Sequence, residues 1–217
     1  MSLKYPEQTQ QHLDALKTLR RLLDESSVRL RSIDSAISHT ELWPEIIAVE
    51  FSYLQIRMLC ETVALACLVA HGDITATEGD RFQKAYAADE IITRLERLHG
   101  NFYPHPVITT ITPASLHIER VPSGFVTKAE LVNLYRKCGE RLHRGSLRKL
   151  HSTAPSAHKR DILNLEEWRR KFQGLLSAQH IASLDNLSHY ICFLSHPQSN
   201  GNALVVHALS PLPDCQS

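Results

Sequence analysis

Hydrophobic and polar positions alternate with a helical period over most of the chain. From Glu7 to about Ser38 there is no Gly or Pro. Leu16, Leu19, Leu23, Leu30, Ile33 and Ile37 fall on the a and d positions of a heptad there, with Ser26 interrupting one d. The pattern predicts a long amphipathic helix whose seam suits either an antiparallel helix of the same chain or a second copy of it. From about Trp43 to Ala70 the apolar residues cover nearly every side, which places this second helix at the centre of a bundle, with Gly72 as its stop. Its few charges, Glu50, Arg57 and Glu61, are spaced to share one stripe and predict a buried ionic cluster.

Thr75 to Glu78 has the spacing of a capping box and opens a third helix that runs to about His99. Residues 101–126 change period. Val107 to Ile111 and Leu116 to Val121 are β-rich runs bounded by prolines and Gly124, and predict a hairpin inserted between helices. A second capping box, Thr127 to Glu130, starts a helix through about His143 with Leu131, Leu134, Cys138 and Leu142 on its inner face. Residues 145–159 are less regular and predict a loop. A further amphipathic helix covers about Asp161 to Ser177, with Ile162, Leu165, Trp168, Phe172 and Leu176 inward. In the tail, about residues 188–209, Tyr190 to Leu194 and Ala203 to Leu209 flank a turn centred on Asn200-Gly201, the strongest hairpin signal in the chain. The expected architecture is a single, mainly α domain over residues 1–217: a helical bundle with two short β-hairpin additions.

Composition narrows the function classes more than it selects one. Hydrophobic residues make up 43% and charged residues 22% of 217, so the chain folds. A net charge of +1 leaves no global field directed at nucleic acid or lipid. The amino terminus lacks the apolar stretch of a secretory signal, and no uninterrupted apolar run reaches the roughly 18 residues of a membrane span. The expectation is a cytoplasmic protein with no membrane partner. Five cysteines without a CxxC pair argue against a disulfide framework, and Cys60 and Cys67, two helical turns apart, suit core packing.

Nucleotide-loop, zinc-protease, serine-hydrolase and EF-hand signatures are absent from the sequence. What remains is local charge. Between Arg136 and Arg160 stand Arg136, Lys137, Arg141, Arg144, Arg148, Lys149, Lys159 and Arg160 against one acid, Glu140. Such density suits phosphate contacts, although a solvated basic helix end has the same composition. Arg136 and His143 differ by only about 20° in direction on a helix, with Glu140 on the same face. An imidazole there can act as general base on a ribose 2′-hydroxyl while the guanidinium stabilises the transition state, without metal. A zinc set drawn from Cys138, His143, His151 and His158 has spacings of no standard site, so neither metal nor cofactor is assigned. His71, His99 and His207 read as caps or surface residues.

The segment Leu54-Gln-Ile-Arg57-Met-Leu-Cys-Glu61 with its apolar helix, and Arg136-Lys-Cys-Gly-Glu-Arg-Leu-His143 later, resemble the HEPN superfamily of helical-bundle ribonucleases and their inactive relatives. The resemblance covers about residues 41 to 145. That family's motif separates an Arg from a His by four to six residues on a late helix, and six lie between Arg136 and His143 here. The resemblance implies a homodimer whose two motifs meet in a cleft and cleave RNA without metal. It makes His143, Arg136 and Glu140 the catalytic candidates, with Lys137, Arg141, Arg144, Arg148 and Lys149 on phosphate, and leaves Arg57 and Glu61 structural. The competing expectation is a non-catalytic homodimeric module, joined through the Leu16 to Ile37 seam, whose basic window binds an acidic protein partner.

Overall fold

A computed structural model of the chain describes residues 8–39, 42, 44–72, 87–111, 116–142 and 156–210. Helix α1 spans Gln10–Ser38 and α2 Glu45–Ala70. Leu19, Leu23, Leu30 and Ile33 of the α1 seam are buried, and α1 packs most extensively on α2. The two run antiparallel, as the contacts Ser26 to Thr62 and Arg29 to Gln55 require. Ser26, the polar break in the seam, is satisfied in the core by the Leu22 carbonyl and the Thr62 hydroxyl. The heptad seam is therefore closed within the chain.

The α2 helix is the one helix among the described residues long and apolar enough to cross a membrane, which the expectation of no such span had not allowed for. It meets α1, α3 (Ala88–Leu98), α4 (Lys128–Leu142), α5 (Ser156–Leu176) and the sheet, and 56% of its most apolar stretch is buried against them. An apolar helix buried to this extent is compatible with the core helix of a soluble protein.

The expected bundle with minor hairpins is corrected by the strands. β1 (His105–Ile111), β2 (Leu116–Arg120), β3 (Ala178–Ala182), β4 (Ser188–Phe193) and β5 (Leu204–Leu209) form one five-stranded antiparallel sheet in the order β2-β1-β3-β4-β5. The fold is α+β, with the sheet as a layer of its own. Both expected hairpins exist, β1/β2 and β4/β5, and Asn200 and Gly201 take the positive φ values that their turn needs. The overlooked element is β3, which follows α5 after a single residue and joins the two hairpins into a continuous sheet. Its core-facing positions, Gln179 and Ile181, are in register with Cys192 and Tyr190. One buried cluster runs from Leu19 and Ile33 through Ile56, Leu134 and Phe172 to Ile181 and Cys192, so helices and sheet share a core.

Helix starts follow the local chemistry. Glu130 and Thr127 form the expected reciprocal cap at α4, with Thr127 N–H donating to Glu130 Oε2 at 3.0 Å and Glu130 N–H to Thr127 Oγ1 at 3.3 Å. At α1 the same device uses Thr9 and His12. The helix α5 starts five residues earlier than the periodicity suggested, and the predicted box at Thr75 lies outside the described residues. Gly174 permits a close approach of α5 to the backbone at Gly124, since a Cβ there would collide with the Gly124 carbonyl oxygen. His71 and His99 do cap α2 and α3, but they are buried rather than on the surface. The His71 ring bridges the Cys67 and Ala182 carbonyls at 2.7 and 3.1 Å, tying α2 to β3.

Candidate functional site

Helices α2, α4 and α5 enclose a cavity of about 430 Å³ lined by Tyr53, Lys137, Glu140, Arg141, Asp161 and Trp168, among others. Each helix contributes a stripe. Lys137, Glu140 and Arg141 line the cavity from one face of α4, because their spacings of three and four return after one turn, together with the buried Leu134, while Leu131 and Cys138 are buried away from it. On α5, Asp161, Asn164 and Trp168 recur at i, i+3 and i+7 and meet that face.

The polar centre of the cleft is Asp161, whose side chain is 5% exposed. It accepts from an Arg141 guanidinium N–H and from the Tyr53 hydroxyl, the latter at 3.3 Å. The Arg141 guanidinium also lies 5.7 Å from the Tyr53 ring centre. Burial first, and the adjacent Asp161 carboxylate second, push the Tyr53 hydroxyl up to about 12. It stays a neutral donor at ordinary pH. Trp168 is half-buried at the cleft wall, with the Lys171 ammonium 5.0 Å from its ring. Lys171 is itself held by Glu130 at 2.6 Å and Glu167 at 3.6 Å.

The lining balance differs from the basic window read in the sequence. Two cations, Lys137 and Arg141, face three carboxylates, Glu140, Asp161 and Glu167. The acids come largely from α5, whose packing on α4 the linear charge count could not include. Among the described residues, no carboxylate pairs with Lys137.

Arg136 is exposed, as its proposed role requires, with 61% of its side chain accessible, but it does not line the cleft. Its Nε donates to Asp89 of α3 at 3.2 Å. His143, Arg144, Arg148 and Lys149 lie outside the described residues, as do His151 and the side chain of His158. The structure thus brings Lys137, Glu140 and Arg141 together and sets Arg136 one step around the helix. Tyr53, Asp161, Asn164, Glu167 and Trp168 were missed as site residues. Tyr53 and Trp168 look like core aromatics in sequence, and only the i, i+3, i+7 spacing from Asp161 could have marked the α5 stripe.

No metal centre emerges: among the described residues, no group of three or more His, Cys, Asp or Glu is placed to hold an ion. Cys138 is fully buried, and burial pushes its thiol up to about 12. Cys60, Cys67 and Cys192 are buried likewise, which agrees with core packing for the Cys60 and Cys67 pair. The anticipated ionic cluster on α2 is half-buried and lacks Glu50, which is exposed. Comparison with known proteins yields no match, whether to a family model, a curated protein or a solved structure.

Proposed function

We propose that this protein binds RNA through the cleft between α2, α4 and α5, and that it is a HEPN-like, metal-independent endoribonuclease with His143 as general base and Arg136 as transition-state stabiliser. The supporting observation is Lys137, a cation that forms no ion pair among the described residues and lines the same cavity of about 430 Å³ as the half-buried Trp168. An ammonium can take a phosphate there while a base lies against the indole, the combination that single-strand binders use. In this reading Arg136 exchanges Asp89 for a phosphate, and Arg144, Arg148 and Lys149 extend the track. The protein acts as a cytoplasmic homodimer with no membrane partner, through a surface other than the α1 seam that α2 already covers.

The test of catalysis is cleavage of single-stranded RNA in EDTA by the wild type and by His143→Ala, with thermal unfolding of both. Loss of a general base lowers the rate by about 10²-fold or more. Equal rates, including equal inactivity, defeat the catalytic part. A second reading has one observation in its favour: Arg136 and Arg141 already hold carboxylates, which is what an acidic protein segment offers. Such a segment displaces Asp89 and leaves RNA unbound.

A further inference from the structure

The sheet carries a hydrogen-bonded chain that the RNA reading does not use. Alternation along β3 and β4 puts His180 and His189 on one face, because His180 is opposite Ile191 and His189 opposite Ala182. Ser210, just beyond β5, reaches the same face, since His189 is opposite Ala208 and the Ser210 N–H closes on the Leu187 carbonyl at 2.9 Å. The Ser210 Oγ lies 2.8 Å from His189 Nε2, and His189 Nδ1 lies 3.0 Å from His180 Nε2. The two imidazole planes are 24° apart with centres 5.2 Å apart. With 3.0 Å between their facing nitrogens, the rings meet end to end along the N···N line, the geometry a proton-sharing contact needs.

We propose that Ser210 is a nucleophile for carboxylic esters, with His189 as its general base and His180 as the residue that positions His189. The three groups meet the spatial requirement for an activated serine: a nucleophile within bonding distance of a base, and the base oriented by a third group. Burial, then His189, Arg120 and His105, hold the His180 ring down to about 4. The neutral ring accepts the His189 Nδ1 proton, which leaves the Nε2 lone pair directed at the serine hydroxyl. All three residues are half-buried. In the reaction, a bond forms from Ser210 Oγ to the ester carbonyl carbon, and the hydroxyl proton passes to His189. The ester C–O bond then breaks, and the departing alkoxide takes that proton and leaves as the alcohol. Water attacks the acyl-serine, gives its proton to His189, and releases the acid as the proton returns to Ser210.

This site is independent of the cleft, and its test is distinct. The full chain is treated with a fluorescent fluorophosphonate, in which the serine oxygen bonds to phosphorus, fluoride leaves and His189 takes the proton. Peptide mass mapping then locates the adduct. The expected result is labelling of the wild type at Ser210, none at that position in Ser210→Ala, and a rate at least about tenfold lower in His189→Gln. His180→Leu slows labelling severalfold, and His180→Gln, which keeps an acceptor, restores most of it. Thermal unfolding confirms that each variant is folded, and should Ser210→Ala not fold, the wild-type adduct and His189→Gln decide. Absence of wild-type labelling, an adduct elsewhere, or an unchanged rate in His189→Gln overturns the proposal.

Discussion

Two Arg–acid–Tyr groups bind α2 to its neighbours, and they behave differently. In the first, Arg57 lies 3.6 Å from Glu61 on its own helix, donates to the Tyr135 hydroxyl at 2.6 Å, and covers the Tyr135 ring at 4.0 Å. Gly139 on α4 leaves the space for it, since a Cβ there would lie 2.8 Å from an Arg57 nitrogen. In the second, Arg141, Asp161 and Tyr53 come from three helices, the acid is buried, and the guanidinium is half-exposed beside a cavity. The same residue types give a closed joint in one place and an open site in the other. What separates them is whether a neighbouring helix fills the remaining space.

The largest expected effect tests the joint. Arg57→Ala removes the ring contact and two hydrogen bonds, and leaves Glu61 without its cation. It should cost about 2–3 kcal/mol in denaturant unfolding, with RNA affinity of the folded fraction unchanged. A loss of affinity without a loss of stability would reverse the two roles.

A smaller effect concerns pH. A tyrosine ionises near pH 10 when unfolded, whereas Tyr53 in the fold does so near 12. Between those values the unfolded chain holds fewer protons, so this contribution to stability declines as pH rises through that window. Tyr53→Phe should remove about 1–2 kcal/mol of that alkaline decline. Burial raises Tyr135 as well, but Arg57 opposes it, so Tyr135→Phe should flatten the decline less. Unfolding curves at pH 9.5 and 11.5 make the comparison, and an unaltered decline in Tyr53→Phe contradicts the geometry around Asp161.

The smallest effect lies at the edge of the site. Arg136 is exposed and Asp89 half-buried in their pair, so Asp89→Asn should change stability by less than about 1 kcal/mol. By freeing the guanidinium it should tighten RNA binding about two- to threefold. Unchanged or weaker binding would remove Arg136 from the phosphate track.

The helices were largely legible because each buries one stripe, and the stripe shows in sequence: Leu19, Leu23, Leu30 and Ile33 in α1, and Leu131, Leu134 and Cys138 in α4. The hairpins were legible from β-branched runs and from Asn200-Gly201. The sheet as a whole was not, because β3 has five residues with only Gln179 and Ile181 directed at the core, too few to display alternation. Half of the cleft was visible as charge on α4. The acids that balance it were not, because Asp161 and Glu167 become neighbours of Arg141 and Lys137 only through helix packing.

Whether Lys137 offers its charge to a phosphate is read from fluorescence anisotropy of a single-stranded RNA oligonucleotide titrated with wild type and Lys137→Glu from 50 to 300 mM salt. Phosphate contact by Lys137 requires wild-type affinity that falls steeply with salt, and about tenfold weaker binding with a shallower slope for the variant. Affinity that is flat in salt, or the same for both proteins, contradicts it.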